Sequence, residues 1–273
     1  FAASVVARLS GGRVFYWNCG EPWKYNRGFL RDFFERMVYR LVTFHVTGAP
    51  SLGDQYAAHY RIPRSKIKIL PNWIDLRRFV PQERPAARRK LGIADDRKVI
   101  LFVHRLSPRK GSRMILPVAR EVLRACPPAL FMVVGSGPDE GFLKEEISKD
   151  NVLGQGIRME GKVPNAKIPM YFSAADVFFM PSEEEGFPRV LLESMAFGVP
   201  FVASNVGVVK EIVPELMHVS VVASGDVAAM AEKLCGWLET SREDRKKFAS
   251  ALIEWVKRYD VPFITRAFRN LFI

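Results

Sequence analysis

Two glutamates, Glu185 and Glu193, stand eight residues apart in the stretch 182–200, and they are the most informative feature of this chain. A carboxylate beside a diphosphate is unfavourable unless it accepts hydrogen bonds from hydroxyl groups. Sugars and ribose supply such hydroxyls. The pair therefore predicts a site for a ligand that carries both hydroxyls and phosphates, as a nucleotide sugar does.

A strand, a loop and a helix must position these two carboxylates. Residues 177–180 form a short apolar run of strand type, which Pro181 ends. Pro188 suits the first position of a helix, and Gly198 suits the position just after its last turn. This order predicts Glu185 in the loop and Glu193 on the helix.

The start of that helix predicts a phosphate site. The backbone N–H groups of Phe187, Arg189 and Val190 would lie unpaired at the positive end of the helix dipole. Helix N-termini bind phosphate for this reason. Glu185 would then stand beside the phosphates, while Glu193 contacts a different part of the same ligand.

These residues resemble the retaining glycosyltransferases with the GT-B fold, in particular glycosyltransferase family 4, also called glycosyl transferases group 1. The family's E-x7-E hallmark is matched by Glu185 and Glu193 and is followed by Gly-Val-Pro-Phe-Val-Ala-Ser at 198–204. A second signature, roughly G-R-L-x-x-x-K-G, is matched from Arg105 to Gly111. A third is the apolar strand at 130–134 that runs into Gly-Ser-Gly-Pro. The resemblance extends from about residue 62 to the end.

The resemblance implies a role for each matched residue. Arg105 and Lys110 would hold the donor diphosphate and stabilise charge on the leaving group. Glu185 would orient hydroxyls of the donor sugar, and Glu193 would bind the ribose hydroxyls. The implied donor-binding backbone comprises Gly186, Phe187, Pro188, Arg189 and Val190, with base contacts near Gly161, Lys162 and Val163.

Three positions depart from the family pattern or lie beside it. His104 stands where the family often has Gly, so its side chain is expected near the phosphates or packed beneath them. Trp73 replaces a Gly in the turn 72–75. Glu21 belongs to a C-x-E-P turn that faces the cleft in some family members. It is a candidate contact to the acceptor or to the reacting face of the donor, and a plain surface turn stabilised by Pro22 is the alternative.

The predicted fold class is α/β. From residue 99 onward, strands and helices alternate as in a doubly wound parallel sheet. The resemblance implies a GT-B architecture of two Rossmann-like domains with parallel sheets. We expect a partial acceptor-side domain at 1–80, a linker at 81–91, a complete nucleotide-sugar-binding domain at 92–258, and a segment at 259–273 that returns to the first domain. The first domain looks truncated, because 80 residues are few for several βα units.

The predicted elements follow from apolar periodicity and turn residues. Strands are expected at 14–17, 43–47, 67–70, 99–103, 130–134, 157–161, 177–180, 201–203 and 220–222, and helices at 29–44, 110–125, 142–149, 168–174, 227–239 and 242–258.

Charge is unevenly distributed along the chain. Residues 1–98 carry a net charge of +11, whereas the other 175 residues carry +1. The helix at 29–44 places Phe29, Phe33 and Phe34 beside arginines, which include Arg27 and Arg31, and so resembles a helix that lies on a membrane. An anionic membrane surface or a polyanion would suit this half. An ordinary buried helix is the alternative, and nucleic acid is disfavoured because no recognised module accompanies the charge.

Cysteine and histidine usage narrows the chemistry. Three cysteines without a C-x-x-C motif suit a reducing cytoplasm, and no run of 18 apolar residues occurs. The four histidines are scattered, so no metal-ligand spacing is recognisable. No cofactor or metal is expected, since in the family Arg and Lys replace the divalent ion. We expect a cytoplasmic location and leave peripheral attachment to a membrane open.

The predicted activity is transfer of a hexose from a nucleoside diphosphate sugar to a hydroxyl of a glycan or lipid-linked acceptor. One alternative is a donor-binding but catalytically idle subunit or fragment, which docks a membrane or partner through its basic half. Another is a related GT-B enzyme. A phosphorylase would need a pyridoxal lysine context, which we do not find, and the epimerase pattern lacks this E-x7-E arrangement.

Overall fold

The computed structural model describes residues 2–25 and 28–272 and contains two parallel β-sheets. Phe1, Asn26, Arg27 and Ile273 lie outside the described residues, and Arg27 is the one of them that was predicted to flank an interfacial helix.

The first sheet has three strands in the order β1-β2-β3, all parallel. Its elements are α1 (Ala2–Leu9), β1 (Phe15–Trp17), α2 (Phe29–Leu41), β2 (Phe44–Thr47), α3 (Pro50–Tyr60) and β3 (Ile67–Ile69). In the register, Phe15 lies opposite Phe44, and His45 opposite Ile67. Parallel strands send their carboxyl ends to one edge, so the loops after β1 and β2 emerge side by side.

The second sheet has six parallel strands in the order β6-β5-β4-β7-β8-β9. Its elements are α4 (Arg84–Lys90), β4 (Lys98–Val103), α5 (Ile115–Ala125), β5 (Ala129–Val134), α6 (Glu140–Ser148), α7 (Asn151–Gly156), β6 (Ile157–Gly161), α8 (Ile168–Ala174), β7 (Val177–Met180), α9 (Arg189–Ala196), β8 (Phe201–Ser204), α10 (Val209–Ile212), β9 (Val221–Val222), α11 (Val227–Glu239) and α12 (Arg242–Val256).

The strand order of the second sheet reverses between β4 and β7. The chain runs outward from β4 through β5 to β6, and then returns to place β7 on the other side of β4. All six residues of β5 are buried, as expected for a parallel strand covered on both faces. Ligands of such sheets bind at the carboxyl ends of the strands where the order reverses.

The chain crosses between the two sheets twice, and the crossings lie side by side. The N–H of Ile74 donates to the carbonyl of Tyr259 at 2.9 Å, and the N–H of Val261 donates back to the carbonyl of Ile74 at 3.1 Å. After the second crossing, α13 (Val261–Phe272) packs on the first sheet, where Ile264 joins Val46 and Leu70 in a buried cluster.

The expected linker at 81–91 contains a helix. α4 lies against the second sheet: Ala87 is fully buried, and the Arg88 guanidinium contacts Asp176 at 2.7 Å. The polar composition and Pro85 favoured the prediction of a linker. In the structure, Arg84 and Arg88 of α4 form ion pairs with Asp176. Helices α1, α3, α7, α10 and α13 were likewise not predicted.

Two predicted helices differ at their ends. The helix predicted at 29–44 ends at Leu41, because Val42 is extended and leads into β2. The helix predicted at 110–125 begins only at Ile115. Before it, two 3-10 turns at Pro108–Lys110 and Ser112–Met114 are separated by Gly111, whose φ of 65° breaks a regular helix. Lys110 therefore lies in a turn.

Helix α2 does not match the alternative of a buried helix. Only Tyr39 of α2 is buried, while Phe29 and Leu30 are 82% and 69% exposed. In the described part of the chain, no helix is both long and apolar enough to cross a bilayer.

Candidate active site

The predicted site residues gather where the strand order reverses. β4 leads into His104 and Arg105, and the neighbouring strand β7 leads into the loop with Ser182 and Glu185. Since the two strands are parallel and adjacent, these loops emerge next to each other.

Glu185 is the centre of a buried polar cluster. Its Oε2 lies 2.9 Å from Nζ of Lys110, and its Oε1 lies 3.3 Å from Nε2 of His104. The Ser182 hydroxyl donates a further hydrogen bond to Oε1 at 2.9 Å. Only 7% of the Glu185 side chain is exposed, so this carboxylate is held in one orientation.

His104 is held as one tautomer. The backbone N–H of Arg105 donates to Nδ1 of His104 at 2.8 Å. Nδ1 is therefore an acceptor without a proton, which leaves the proton on Nε2, the nitrogen that faces Glu185. A neutral imidazole can thus donate to the carboxylate. The histidine that replaces the family's usual Gly is packed against Glu185.

A second ion pair supports the first. Arg109 and Glu184, the residues before Lys110 and Glu185, pair at 2.8 Å. The Arg109 carbonyl accepts the N–H groups of Glu183 and Glu184 at 3.1 and 3.2 Å. These contacts hold the turn that carries Lys110 against the loop that carries Glu185.

The electrostatic environments of the two motif glutamates differ. Burial alone would raise the pKa of Glu185, but the hydrogen bond from His104 and the charge of Lys110 outweigh it, and the pKa lies below its ordinary value. Burial raises the pKa of Glu193 to about 7, which the charge of Arg189 offsets only in part. Among residues 2–25 and 28–272, no side chain pairs with the Glu193 carboxylate or donates a hydrogen bond to it.

Arg105 is not part of the cluster. Its guanidinium is exposed and makes no ion pair with any described residue. The structure thus brings Lys110 to Glu185 and leaves Arg105 beside them, with its cation free for an external anion.

Helix α9 begins one residue later than predicted. Pro188 precedes the helix, and Arg189 is its first residue. Gly198 follows the helix with a φ of 62°, as expected. The N–H groups of Phe187, Arg189 and Val190 find no acceptor among the described residues. These donors are available to a ligand at the positive end of the helix.

Loops of the first sheet close over this site. A Cβ atom on Gly186 would meet the carbonyl oxygen of Cys19 at 1.8 Å, so only glycine permits this approach. A Cβ on Gly48 would likewise press on the Phe187 ring. The carboxyl edges of the two sheets therefore face each other at Gly186 and Phe187.

Glu21 lies on the first-sheet side of this contact. It follows β1 two residues after Cys19, is 2% exposed, and pairs with Lys24 at 2.9 Å. No contact joins it to Glu185 in the described residues. It lies at the edge where the two sheets face each other, and its buried carboxylate differs from the alternative of a plain surface turn.

The Gly-rich motif after β5 packs closely against the segment 104–106 after β4. Cβ atoms on Gly135 and Gly137 would meet the carbonyls of His104 and Leu106 at 1.8 and 2.2 Å. The Gly135 N–H donates to the carbonyl of Gly161, at the end of β6, at 2.8 Å. Lys162 and Val163 follow at the outer edge, two strands and about 10 Å from β4.

The sequence did not reveal two polar partners of this site. The hydroxyl of Ser182 lies three residues before Glu185, a spacing typical of a loop that folds back on itself, and this was the available signal. Tyr25 comes from the first sheet's loop, and its ring lies 4.3 Å from the Arg109 guanidinium. No local pattern connects residues so far apart. Among described residues, no three His, Cys, Asp or Glu side chains are grouped as metal ligands.

Comparison with known proteins identifies relatives of this chain. The D-inositol 3-phosphate glycosyltransferase of Geodermatophilus obscurus is 37% identical over 177 residues, which cover 62% of this chain and 38% of that protein. The 2-deoxystreptamine N-acetyl-D-glucosaminyltransferase of Streptomyces fradiae is 28% identical over 242 residues, which cover 86% of this chain and 56% of that protein. The chain thus spans about 34% to 56% of the length of such curated relatives.

Solved structures match the fold. Anabaena HepE, in complex with UDP, aligns with a TM-score of 0.81 at 18% identity, and the alignment covers 98% of this chain and 74% of that one. The predicted α/β GT-B architecture with parallel sheets is confirmed. The family model for glycosyl transferases group 1 matches residues 83–255, which is more than half of the chain, and the chain therefore belongs to this family.

Proposed function

We propose that this protein is a retaining, metal-independent glycosyltransferase of family 4. It transfers a hexose from a nucleoside diphosphate sugar to an acceptor hydroxyl, in the synthesis of a cell-envelope glycan, a polysaccharide or a glycolipid. Relatives named as inositol phosphate glycosyltransferases, and the UDP complex of Anabaena HepE, support a nucleotide-sugar donor.

The observation that carries the proposal is the contact of Lys110 with Glu185 where the strand order reverses. A cation there suits the donor phosphates, and a carboxylate held by His104 suits the sugar hydroxyls. One ligand that extends from phosphate to sugar would contact both groups. The free Arg105 guanidinium supplies a second cation at the same edge.

The start of α9 suits the nucleotide half of the donor. Unpaired N–H groups at Arg189 and Val190 point to a phosphate, and an unpaired carboxylate at Glu193 points to a group with hydroxyl donors. Ribose has two such hydroxyls. The base would extend toward Gly161, Lys162 and Val163 at the outer strand.

The chemical step follows from these positions. The bond between the anomeric carbon and the phosphate oxygen breaks, and Arg105 and Lys110 stabilise the charge that develops on the diphosphate. The acceptor hydroxyl attacks from the same face, and its proton passes to the leaving phosphate. Glu185 fixes the sugar ring by accepting hydrogen bonds from its hydroxyls. The two cations take the place of a divalent metal ion.

The acceptor enters from the first-sheet side in this proposal. The loop after β1 contacts Gly186, and Glu21 is a buried carboxylate in that loop. Glu21 is paired with Lys24, and its carboxylate oxygens can accept a hydrogen bond from an acceptor hydroxyl.

Calorimetric titration with UDP, GDP and ADP tests the donor site. We expect one nucleotide to bind selectively, and Lys110→Ala and Glu193→Gln to weaken it. Lys90→Ala is the control for Lys110, since Lys90 is an exposed lysine on α4 that forms no ion pair with a described residue. Absence of binding by any nucleotide to the folded protein would refute the donor site. Turnover of the matching sugar nucleotide then distinguishes an enzyme from an idle subunit.

We also propose that α2 rests on an anionic membrane surface. Phe29 and Leu30 are largely exposed, and the neighbouring Arg31 and Arg40 are exposed cations in the basic half of the chain. An apolar face flanked by arginines suits the boundary between headgroups and acyl chains.

Flotation with lipid vesicles tests this surface. Binding to anionic vesicles should fall when Phe29 and Leu30 are both changed to Ser, and neutral vesicles should bind weakly. Phe142→Ser, at another exposed aromatic residue on α6, should leave binding unchanged. Equal binding by all variants would contradict the assignment to α2.

A further inference from the structure

A second charged cavity lies at the opposite edge of the six-stranded sheet. Asp176 precedes β7 and Lys98 begins β4, so the cavity lies at the amino ends of the strands. A six-residue strand separates this edge from Lys110 by about 20 Å. The cavity has a volume of about 630 Å³ and is distinct from the proposed donor site.

Three guanidinium groups share one carboxylate in this cavity. Arg88 and Arg245 contact Asp176 at 2.7 and 2.8 Å, and Arg84 contacts it as well. The Val99 N–H also donates to Asp176 at 2.7 Å. A carboxylate offers about four acceptor positions, and these four donors occupy them. One negative charge thus faces three positive ones.

Arg88 has a structural role, whereas Arg84 and Arg245 retain donors. Arg88 is 5% exposed and also donates to the carbonyls of Ala174 and Arg97, which joins α4 to the sheet. For Arg84 and Arg245, the described residues accept hydrogen bonds from the terminal nitrogens but not from Nε. These guanidinium groups are only partly buried and face the cavity.

The rest of the lining adds to the positive charge. Seven basic side chains and three carboxylates line the cavity, which leaves an excess of four positive charges. Nε of Arg97 is buried and has no hydrogen-bond partner in the described part of the chain. Burial, followed by repulsion from Arg84, lowers the pKa of Arg88, which agrees with uncompensated charge.

We propose that this cavity is a second ligand site that binds a compact polyanion of the phosphate class. Planar guanidinium forks match the oxygen geometry of phosphate. Two or more negative charges on one ligand would neutralise the excess at Arg84 and Arg245, and the exposed Arg242 and Lys246 of α12 would complete the rim.

Calorimetry with inorganic pyrophosphate tests the proposal, in Lys110→Met protein so that the donor site contributes less to binding. We expect submillimolar binding, weakened about fivefold by Lys246→Gln and more by Arg242→Gln combined with Lys246→Gln. Both residues are exposed, and neither forms an ion pair with a described residue, so the variants should fold. Lys247→Gln is the matched control on the same helix, outside the cavity.

The outcomes decide the proposal. Binding weaker than about 10 mM, or binding that Lys246→Gln and Lys247→Gln reduce equally, would overturn it. Retention of the affinity by the double variant would overturn it as well. UDP that binds the same Lys110→Met protein at least as tightly as pyrophosphate, with the same dependence on Lys246, would support the site and identify phosphate as part of a larger ligand.

Discussion

Glu185 and Glu193 share one motif but lie in opposite environments. Glu185 is paired with Lys110, His104 and Ser182, and its pKa lies below the ordinary value. Glu193 has no such partner among the described residues, and burial raises its pKa to about 7. The first carboxylate is already oriented by the protein, whereas the second would gain its partners from the ligand of the proposed donor site. Glu185 is thus a preorganised carboxylate, whereas Glu193 is a buried carboxylate without a partner among the described residues.

Removal of Lys110 should have the largest effect on this comparison. Lys110→Met removes both the cation of the Glu185 pair and the proposed partner of the leaving phosphate. We expect turnover to fall about 100-fold to 1000-fold, measured as kcat with the sugar nucleotide identified by calorimetry. Lys90→Met, which removes an exposed cation on α4, should cost less than about fivefold. Equal losses in the two variants would show that Lys110 acts only through general charge.

Gly186→Ala tests the close approach between the first sheet's loop and Gly186, the residue after Glu185. The new Cβ would meet the Cys19 carbonyl, so the two loops must separate. We expect a loss of about 2 kcal/mol in the free energy of unfolding, measured with urea, and weaker binding of the acceptor. Gly236→Ala, on α11 with open space around it, should be neutral or stabilising. An unchanged stability of Gly186→Ala would contradict the tight approach.

Glu193→Gln should weaken nucleotide binding about tenfold, since the ionised carboxylate accepts more strongly than an amide.

Glu193→Gln should also stabilise the free protein at high pH. The raised pKa means that the folded state binds more protons than the unfolded state, so wild-type stability falls as pH rises from about 4.5 through 7. The variant should gain about 2 kcal/mol at pH 8 and nothing at pH 4, as measured by urea unfolding. A pH-independent difference would contradict the unpaired state of Glu193.

The stability of Glu185→Gln relative to wild type should show the opposite dependence on pH. The expected change in stability is smaller than for Gly186→Ala or Glu193→Gln. The lowered pKa means that the ionised form stabilises the fold above the unfolded pKa, and that this contribution is lost as pH falls. We expect the variant to be less stable by about 1 kcal/mol at pH 7, with the difference shrinking toward pH 3. The same pH slope for both glutamine variants would invalidate the comparison.

Local patterns predicted the parts of the site that lie within one strand–loop–helix unit. The strand at 177–180, the loop with Glu185 and the helix with Glu193 follow from apolar runs and from the positions of Pro188 and Gly198. The alternation of strands and helices predicted the α/β class for the same reason. Such patterns report on neighbours along the chain.

Contacts between distant segments could not be predicted in this way. His104 contacts Glu185 because the strand order places β4 beside β7. The spacing of residues in the sequence does not determine that order. Lys110 was predicted on a helix because the sequence does not show that Gly111 has a positive φ and lies against the carbonyl of Pro181, which is distant along the chain. The linker prediction missed α4 because its arginines are typical of a solvated segment. In the structure, Arg88 instead pairs with Asp176 beside the sheet.

The paired crossings at Ile74 and Asp260 have a mechanical consequence. Both connections between the sheets pass through one small bridge, where Ile74, Tyr259 and Val261 exchange backbone hydrogen bonds. Rotation about this bridge would swing the loops after β1 and β2 away from those after β4 and β7, while the hydrogen bonds within each sheet stay intact. Such a rotation would make the bridge a single hinge, and Gly186 would lie at the rim where solvent first enters.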